Sequence, residues 1–297
     1  MTIRHLKIFI TVADCGKMRQ AAQLLYVSQP SISQAIGEIE SYYGIKVFER
    51  LSQKLYLTEQ GETLLSYARH IVDSYEKMDI AMKHAGRVPV LRVGGSVSVG
   101  TCMLQSVVDK LEKEVEDLEL YVVINNTEQI EEQILKSELD VAIVEGVIKS
   151  KDIIAKRIGM DELVIVVGKE HPFYHRDSIS IQELEGMKVI SREDGSSARN
   201  QYENLLHEKG IKLRTIWQSS NTEPIKRAVI DGKGLTFISK MLIEREVKEG
   251  LLRIVPVEEV TVCRELNVIY HKDKYVTKTM EVFYETALAL GVPDISF

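Results

Sequence analysis

Apolar residues recur at helical spacing in the first part of the chain. Between positions 29 and 43 they follow one another at steps of four, three and four: Ile32, Ile36, Ile39 and Tyr43. This spacing predicts a helix with one apolar face. Ser28 suits the N-cap of this helix, where its hydroxyl can accept a free backbone N–H. Pro30 is tolerated in the first turn, because its missing N–H would have no partner there.

A second helix precedes this one across a tight turn at Tyr26 and Val27. Two short helices joined in this way form a helix-turn-helix, whose second helix presents its N-terminal side chains to base edges in the DNA major groove. The polar side chains predicted to be exposed at that end are Gln29, Ser31, Ser33 and Gln34. The alternative is an ordinary bundle of short helices whose polar face is only solvated.

The flanking segments extend this domain. Leu6, Phe9 and Ile10 have helical spacing, so MTIRHLKIFITVADCGK is predicted to be a first helix rather than an export signal. After the helix-turn-helix, the β-like runs 46–50 and 54–58 predict a β-hairpin wing. This wing would place three side chains against phosphates or in the minor groove: Arg50, Gln53 and Lys54.

A heptad repeat follows the hairpin. Thr58 can cap a helix that runs to about His84 and ends before Gly86 and Pro89. Its apolar residues repeat at steps of four, three, four, three and four: Leu64, Ala68, Ile71, Tyr75, Met78 and Met82. Such a repeat favours the pairing of two copies through a coiled coil. The alternative is that the same residues pack against their own domain.

Strands and helices alternate after Pro89. Apolar runs predict strands at 90–94, 118–124, 140–144, 163–167, 188–190, 215–218, 235–238 and 266–270. Helices are predicted at 101–114, 128–136, 198–209, 223–231, 240–249 and 278–290. This alternation favours α/β layers with largely parallel sheets, in which loops at the carboxyl ends of the strands form the ligand crevice.

Three of those loops are rich in small and hydroxyl-bearing residues and lead into helices: 94–101, 125–127 and 191–197. A helix N-terminus offers free N–H groups and a partial positive charge, so a hydroxyl-lined helix start suits an anion or a carboxylate. For each loop alone, plain N-capping is the commoner explanation. Three such loops in one α/β region favour a small-molecule site.

Charge is distributed unevenly along the chain. The net charge of the 297 residues is −6, but residues 1–60 carry seven basic and five acidic side chains, a net of +2, so the remainder carries −8. A basic head on an acidic body fits a DNA-binding domain joined to another domain. With so few positive charges, one head should bind DNA weakly, because phosphate neutralisation supplies much of the affinity. Two or more copies are therefore expected.

The remaining composition argues against other classes. No apolar run approaches the roughly 18–20 residues of a membrane span. Cys15, Cys102 and Cys263 have no metal-ligand spacing, so they are expected to be buried, reduced side chains, and a thiol switch is not expected. Asp161 and Glu162 are explained by a turn before a strand. No catalytic motif occurs, so no enzyme, metal or cofactor is predicted. A transport solute-binding protein would explain only the α/β part.

The run AAQLLYVSQPSISQAIGEIE, followed by VFER and LTEQG, resembles the winged helix-turn-helix of the LysR-type transcriptional regulators. VGGSVSVGT, NNTEQI, LDVAIVEG, SREDGSSAR and SSNTEPIKRAVIDGKGLTFIS resemble the effector-binding domain of that family. The resemblance implies a winged helix-turn-helix domain at 1–60, a linker and dimerisation helix at 61–88, and an effector domain at 89–297. That domain would be a two-lobed α/β structure of periplasmic-binding-protein type, with lobes at 89–160 plus 267–297 and at 161–266.

The pattern and the resemblance together assign side chains to partners. Double-stranded DNA would meet Arg19, Ser28, Gln29, Pro30, Ser31, Ser33, Gln34, Arg50, Gln53 and Lys54. A small anionic metabolite between the lobes would touch Ser96, Ser98, Thr127, Glu145, Arg192, Gly195, Ser196 and Ser197. Glu145 fits an anion poorly, since like charges repel; it would instead accept a hydrogen bond from the ligand or face water.

The expected protein is therefore a cytoplasmic, ligand-responsive transcriptional regulator that is not an enzyme and does not bind a membrane. It would act as a homodimer or a homotetramer, with RNA polymerase as a further candidate partner. The effector would change the relative populations of domain arrangements, which requires that it bind one arrangement more tightly than another.

Overall fold

The computed structural model describes residues 1–51, 54–83, 89–258 and 260–291. The chain divides into two compact units. The first is Met1–Arg87 with the short segments Leu135–Ser137 and Asp273–Tyr275; the second comprises Val88–Ile134, Glu138–Lys272 and Val276–Phe297. None of the helices in the described ranges combines the length and the hydropathy that crossing a lipid bilayer would require.

The described part of the first unit follows the predicted order of helices and hairpin. Its elements are α1 (Ile3–Cys15), α2 (Met18–Leu24), α3 (Gln29–Tyr43), β1 (Phe48–Leu51), β2 (Lys54–Leu57) and α4 (Glu59–Lys83). The predicted cap is confirmed, because the Ser28 hydroxyl accepts the backbone N–H of Ser31 at 3.3 Å. Strands β1 and β2 pair antiparallel from Phe48 opposite Leu57 to Leu51 opposite Lys54, which confirms the hairpin.

The apolar faces of α1 and α3 form the core of this unit. Phe9, Val12, Ile32 and Ile39 are fully buried. The ring of Phe9 lies 5.4 Å from that of Phe48, so the hairpin packs on the same core. The apolar side of α3 is thus occupied by its own unit, and its opposite side is left to solvent.

The long helix α4 has two different halves. In its N-terminal half, Ala68 is fully buried and Leu64 is half-buried, and both pack into the core shared with α1. The heptad pattern assigns both residues to a contact with a second copy. This assignment is wrong for Ala68, because its own unit covers the whole side chain. The C-terminal half leaves large apolar side chains 41–73% exposed: Ile71, Tyr75, Met78 and Met82.

The second unit largely alternates strands and helices, as predicted, but the strand at Leu252–Val255 was not predicted. Its first half contains β3 (Val90–Ser96), α5 (Val97–Cys102), α6 (Leu104–Glu114), β4 (Glu119–Asn125), α7 (Thr127–Leu135), β5 (Val141–Glu145), β6 (Ile153–Gly168) and β7 (Lys188–Arg192). Its second half contains α8 (Ser197–Glu208), β8 (Arg214–Ser219), α9 (Thr222–Ile230), β9 (Thr236–Ser239), α10 (Glu244–Lys248), β10 (Leu252–Val255), β11 (Val262–His271) and α11 (Lys278–Leu290). Short 3₁₀ helices lie at Ile181–Leu184 and Lys240–Leu242.

Most strand pairings in this unit are antiparallel. The seven-stranded sheet has the order β10-β6-β11-β5-β3-β4, and β9 also pairs with β6. Strand β3 pairs in parallel with β4 and β5, and β7 pairs in parallel with β8 in a separate sheet. Strand β6 pairs antiparallel with β9, β10 and β11, and β11 with β5. The prediction of largely parallel sheets is wrong, because β6 and β11 run side by side in opposite directions through the sheet.

Apolar side chains of the second unit form separate clusters. One contains Val93, Leu104 and Phe283 from β3, α6 and α11. Two others lie between positions 164 and 255, around Tyr202 and Val229 respectively. We call the part built on the first cluster lobe I and the part built on the other two lobe II, and we propose for them the bounds expected from the sequence.

Candidate DNA-contact surface and ligand cleft

The N-terminal end of α3 exposes most of the polar side chains that the sequence assigns to DNA: Ser28, Gln29, Pro30, Ser33 and Gln34. Ser31 is half-buried, and its hydroxyl oxygen lies 2.8 Å from that of Ser28. These two residues therefore stabilise the helix start. The side-chain amide of Gln34 donates one N–H to Glu38 Oε1 at 2.8 Å, which leaves its second N–H and its oxygen for a base.

Basic side chains flank this helix end. Arg19 is exposed on the first turn of α2, and Lys54 is exposed on β2. Lys17 occupies the N-cap of α2 and makes no side-chain capping hydrogen bond. Arg50 belongs to β1, but its side chain, like the whole of Gln53, lies outside the described residues.

The cleft between lobes I and II closes on a very small cavity. Ser98 of lobe I lines it together with Arg192, Thr222 and Ser239 of lobe II. The free volume is about 10 Å³, roughly the room that one water molecule needs. A larger ligand can therefore enter only if the lobes or the lining side chains move.

A buried charge cluster lies at the base of the cleft. The Arg264 guanidinium donates through Nε to Asp161 Oδ2 at 2.7 Å and through Nη2 to Glu145 Oε1 at 3.1 Å and to Ser98 Oγ at 3.2 Å. The Ser239 hydroxyl donates to Asp161 Oδ1 at 2.7 Å. Arg264, Glu145 and Asp161 are each at most 3% exposed. One cation thus lies between two carboxylates, one from the end of β5 and one from β6.

The two carboxylates have opposite pKa shifts. Burial raises the pKa of Glu145, but the positive charge of Arg264, together with the nearby Ser96 and Ser98 hydroxyls, outweighs burial and holds this pKa below its usual value. For Asp161, burial is the larger influence, and its pKa is raised despite Arg264 and a hydrogen bond from a serine hydroxyl. Arg264 therefore favours the ionised form of Glu145, whereas burial favours the protonated form of Asp161.

This cluster corrects two expectations. Glu145 does not face water, because its carboxylate is buried against Arg264. Asp161 lies within strand β6, directly opposite Arg264 of β11, and not in a turn. Sequence reasoning missed Arg264 entirely, although a charged residue between Val262 and Leu266 in an apolar strand was a signal that could have indicated a buried partner.

Two buried hydroxyl groups at the cleft lack well-formed hydrogen bonds with described residues. They belong to Ser96, at the N-cap of α5, and Ser197, the first residue of α8, and these residues are 2% and 8% exposed. Ser196, at the N-cap of α8, makes no side-chain capping hydrogen bond. The first turn of α8 therefore keeps N–H groups that no side-chain cap satisfies, and buried polar groups without partners cost free energy.

Loops of the two lobes touch beside these hydroxyls. The Asn126 amide donates to the Asp194 carbonyl at 3.2 Å, and the Gly195 carbonyl accepts the backbone N–H of Glu128 at 3.4 Å. Thr127 is buried, and its hydroxyl lies 3.4 Å from the Glu145 carbonyl oxygen, to which it donates. Asn126, which the sequence did not single out, caps α7 by accepting the N–H of Gln129 at 3.0 Å.

Gly146 of lobe I lies directly against Ser197 at the start of α8. Its φ is +94°, and a Cβ added there would lie 2.1 Å from the hydroxyl oxygen of Ser197. A side chain at this position would therefore collide with the start of α8. Only a glycine permits the closed arrangement, for reasons of both conformation and space.

Arg192 lines the cavity with its guanidinium already engaged. Its Nε and Nη2 donate to the two carboxylate oxygens of the neighbouring Glu193 at 2.8 and 2.9 Å. This two-point geometry is the one by which arginine binds a carboxylate or a phosphate. An anionic ligand would compete with Glu193 for the same donors.

The cysteine thiols in the second unit are poor nucleophiles. The Cys102 residue is partly open to solvent, yet desolvation by the surrounding protein, together with Asp161 and Glu145, raises the pKa of its thiol to about 11. Burial and the charge of Glu162 raise the pKa of Cys263. Both thiols are therefore largely protonated near neutral pH. The expectation that the cysteines are buried is wrong for Cys102, which is exposed, and Cys15 and Cys263 are only half-buried.

A winged helix-turn-helix, a long helix and an α/β domain with a polar cleft define a DNA-binding protein with a ligand-binding domain. Residues 3–62 match the family described as bacterial regulatory helix-turn-helix protein, lysR family, and residues 84–291 match the LysR substrate binding domain. The chain belongs to the LysR-type transcriptional regulators, which are DNA-binding proteins and not enzymes.

Similar proteins cover nearly the whole chain or its second unit. A probable RuBisCO transcriptional regulator of Phaeodactylum tricornutum is 30% identical over 290 residues, which is 95% of this chain and 94% of the relative. A full-length variant of OxyR from Pseudomonas aeruginosa shares the fold with a TM-score of 0.68 and 21% identity, covering 97% of this chain and 94% of that one. The regulatory domain of CcmR from Synechocystis, in complex with 2-PG, has a TM-score of 0.63 and 22% identity, covering 68% of this chain and 96% of that one.

Proposed function

We propose that this regulator binds operator DNA as a homo-oligomer and responds to a small anionic ligand held between lobes I and II. RNA polymerase stays a further candidate partner. A regulator of transcription acts in the compartment that holds the DNA, which for this chain is expected to be the cytoplasm.

The exposed end of α3 supports direct base contacts. Three polar side chains lie on the side of the helix that its own unit leaves open: Gln29, Ser33 and Gln34. The side chains of Gln29 and Ser33 form no hydrogen bond with another described residue. Glutamine and serine can pair with base edges in the major groove. Arg19 and Lys54 would fix the register by contacting phosphates, which carry no sequence information themselves.

The C-terminal half of α4 supports oligomerisation. Ile71, Tyr75, Met78 and Met82 follow one another at steps of four, three and four, and all are exposed within a single chain. Three or more large apolar side chains on one helix stripe favour pairing with the same stripe of a second copy. We expect Met78→Glu to shift the full chain towards monomer in sedimentation equilibrium. An unchanged mass would contradict pairing through α4.

The observation that carries the ligand proposal is the buried hydroxyl of Ser197, which has no hydrogen-bond partner among the described residues. It belongs to the first turn of α8, which no side chain caps. A small oxyanion would accept hydrogen bonds from this hydroxyl and from the free backbone N–H groups of that turn. The similar CcmR regulatory domain binds 2-PG, so a domain of this fold takes a small molecule.

Electrostatics restrict where the negative charge can lie. Arg264 is shared by Glu145 and Asp161, so this cluster carries a net negative charge when both carboxylates are ionised. An anion beside it would be repelled. We therefore propose that the anionic group of the ligand binds at the start of α8 and to Arg192, where it displaces the carboxylate of Glu193. A hydrogen-bond donor of the ligand would lie on the side of Glu145.

Binding can change DNA recognition only if the ligand prefers one arrangement of the lobes. The small cavity and the contact at Gly146 describe a closed cleft, and we propose that a ligand larger than water favours a wider spacing of the lobes. That difference provides the coupling between ligand and DNA.

The ligand half is tested by thermal unfolding of the full chain with sulfate, phosphate, acetate or 2-PG, with glycerol as the neutral comparison. A ligand present at 100 times its Kd stabilises the native state by about 2.7 kcal/mol. Ser197→Ala should reduce this shift, because it removes a donor that no described residue uses. The matched control is Ser106→Ala, an exposed serine on α6. Equal shifts in both variants would remove the start of α8 from the ligand site.

A further inference from the structure

The turn between α2 and α3 holds an unusual residue. Tyr26 has a left-handed backbone conformation with φ +54°, and its side chain is 95% exposed, the most exposed of the large apolar side chains described. At this exposure the ring packs against almost nothing, and the hydroxyl has no hydrogen bond to another described residue.

The hydrogen bonds of this turn explain why the left-handed conformation is needed. The Val27 N–H donates to the Ala22 carbonyl at 3.0 Å, and the Tyr26 N–H donates to the Gln23 carbonyl at 3.3 Å. These two bonds form a Schellman motif, which ends a helix with one left-handed residue, usually glycine and sometimes asparagine. Here a tyrosine occupies the glycine position.

Tyrosine at this position destabilises the fold without a compensating interaction of its side chain. A left-handed conformation is unfavourable for residues with a bulky side chain, whereas glycine and asparagine adopt it readily. The other described non-glycine residues with positive φ are the short polar Asp117 and Ser137. Because the Tyr26 ring buries almost no surface, it gains nothing from packing. A side chain that weakens folding and stays in water points to an interaction outside the folded chain.

The position of the turn identifies that interaction. Tyr26 is two residues before Ser28, the cap of α3, and three before Gln29, at the helix end assigned to the major groove. The phosphates of one strand border that groove, and tyrosine hydroxyls are among the groups that bind phosphate oxygens. We propose that Tyr26 is a DNA-contacting residue whose hydroxyl donates to a backbone phosphate beside the groove that receives α3. This inference rests on the proposed DNA binding by the N-terminal end of α3.

The main test compares the full-length wild type with Tyr26→Phe on a duplex that the wild type selects from a random-sequence library. Phe keeps the ring and the backbone strain and removes only the donor. We expect its Kd to rise about tenfold, as for loss of a hydrogen bond to a charged group. The slope of log Kd against log salt should not change, because a neutral hydroxyl releases no counterion, whereas Lys54→Gln should lower that slope by about 0.9 for each copy of Lys54 that contacts a phosphate.

Two comparisons make this result specific. Tyr42→Phe alters another exposed tyrosine, at the far end of α3, and should bind as the wild type does. The loss in Tyr26→Phe should be equal on the selected duplex and on a scrambled duplex, because a phosphate contact carries no sequence information. A loss confined to the selected duplex would indicate a base contact and overturn the assignment to phosphate.

Tyr26→Asn provides a second, independent readout. Asparagine relieves the backbone strain and lacks the phenol, so the melting temperature should rise by about 2–5 °C while Kd also rises. A variant that binds as tightly as the wild type would overturn the inference. If the wild type binds no duplex, the proposed function itself fails. The other outcome is that the wild type binds and that Ser33→Ala and Gln34→Ala weaken binding while Tyr26→Phe does not. In that case only this inference fails.

Discussion

The DNA-contact end of α3 and the ligand cleft both concentrate polar side chains, but they differ in burial. At the end of α3, Gln29 and Ser33 are exposed, and their side chains have no hydrogen bond to other described residues. In the cleft, Arg264, Glu145 and Asp161 are almost fully buried and bond to one another. Water satisfies the first group in the free protein, whereas only the fold satisfies the second.

This difference separates the effects of substitution. Removing an exposed polar side chain from α3 should change DNA binding and leave folding unaffected. Removing a member of the buried cluster should change folding first, because the remaining partners cannot be solvated. Single substitutions in the two regions test whether the effects on DNA binding and on folding are separate in this way.

The largest effect is expected for Arg264→Met. It leaves the carboxylates of Glu145 and Asp161 buried without a cation, which typically costs about 3–5 kcal/mol. The free energy of unfolding in urea measures it. Arg253→Met is the control, because Arg253 and its partner Asp177 are both exposed, at 38% and 103% for their side chains, and such a pair contributes at most about 1 kcal/mol. Equal destabilisation of the two variants would contradict the role of the buried cluster.

Gly146→Ala should separate the closed lobes or destabilise them by about 1–3 kcal/mol, because the new Cβ overlaps the Ser197 hydroxyl. Gly210→Ala is a matched control, since Gly210 also has a positive φ, +71°, but has no atoms within 4 Å of the added Cβ. The difference between the two free energies of unfolding isolates the collision from the backbone strain. No difference would mean that the lobes do not press together at Gly146.

Ser33→Ala and Gln34→Ala should each relax base discrimination by about 1–3 kcal/mol, the usual value of a well-formed hydrogen-bonding pair between a side chain and a base. The free energy of unfolding should stay within about 0.5 kcal/mol of the wild type, because both side chains are exposed. Ser41→Ala, on the same helix and equally exposed, is the control. Competition between matched and mismatched duplexes measures discrimination. Unchanged discrimination in both variants would remove these residues from base readout.

Asp161→Asn should change stability with a definite dependence on pH. The folded-state pKa of Asp161 is raised, so the native state binds its proton more tightly than the unfolded state does. The protonated Asp161 carboxyl therefore stabilises the native state at low pH. This stabilisation is lost as the pH rises from about 4, the ordinary carboxyl range, to above the raised pKa of Asp161. The Asn variant has no such loss, so its free energy of unfolding should increase relative to that of the wild type as the pH rises through this range. Glu145→Gln should show the opposite trend, because the pKa of Glu145 is lowered.

The smallest effect is expected for Cys102→Ser, which should leave DNA binding unchanged. With a pKa of about 11 against a usual value of 9.0, the thiolate fraction of Cys102 near neutral pH is about 100-fold lower than that of an ordinary thiol. Alkylation by iodoacetamide, followed by mass spectrometry, should be correspondingly slow. Fast alkylation of Cys102 would show that the surrounding carboxylates do not suppress the thiolate.

Local patterns in the sequence predicted the elements of this protein because those patterns are local in origin. The steps of three and four among Ile32, Ile36 and Ile39 correspond to one helical face, and the serine cap sits directly before it. The alternation of strands and helices after Pro89 also follows from short-range periodicity. The exposed polar end of α3 was therefore available from the chain alone.

Contacts between distant segments could not be predicted in this way. Ala68 continues the heptad repeat perfectly well, yet it lies where α1 crosses α4 and is buried by its own unit. Arg264 meets Asp161 and Glu145 only because β11 pairs with β6 on one side and β5 on the other, across 103 and 119 residues of sequence. The antiparallel course of these strands likewise depends on how they pair and not on their composition.

The sequence by itself determined most of the order of the helices and strands and the polar end of α3, because helical and strand periodicity act over a few residues. The family followed from the resemblance of whole sequence runs and not from periodicity. Tertiary structure decided which half of α4 stays exposed, that the two lobes meet at Gly146, and that Glu145 binds Arg264 in place of water. The physical reason is that burial and ion pairing depend on neighbours in space, and those neighbours are set by strand register and helix packing.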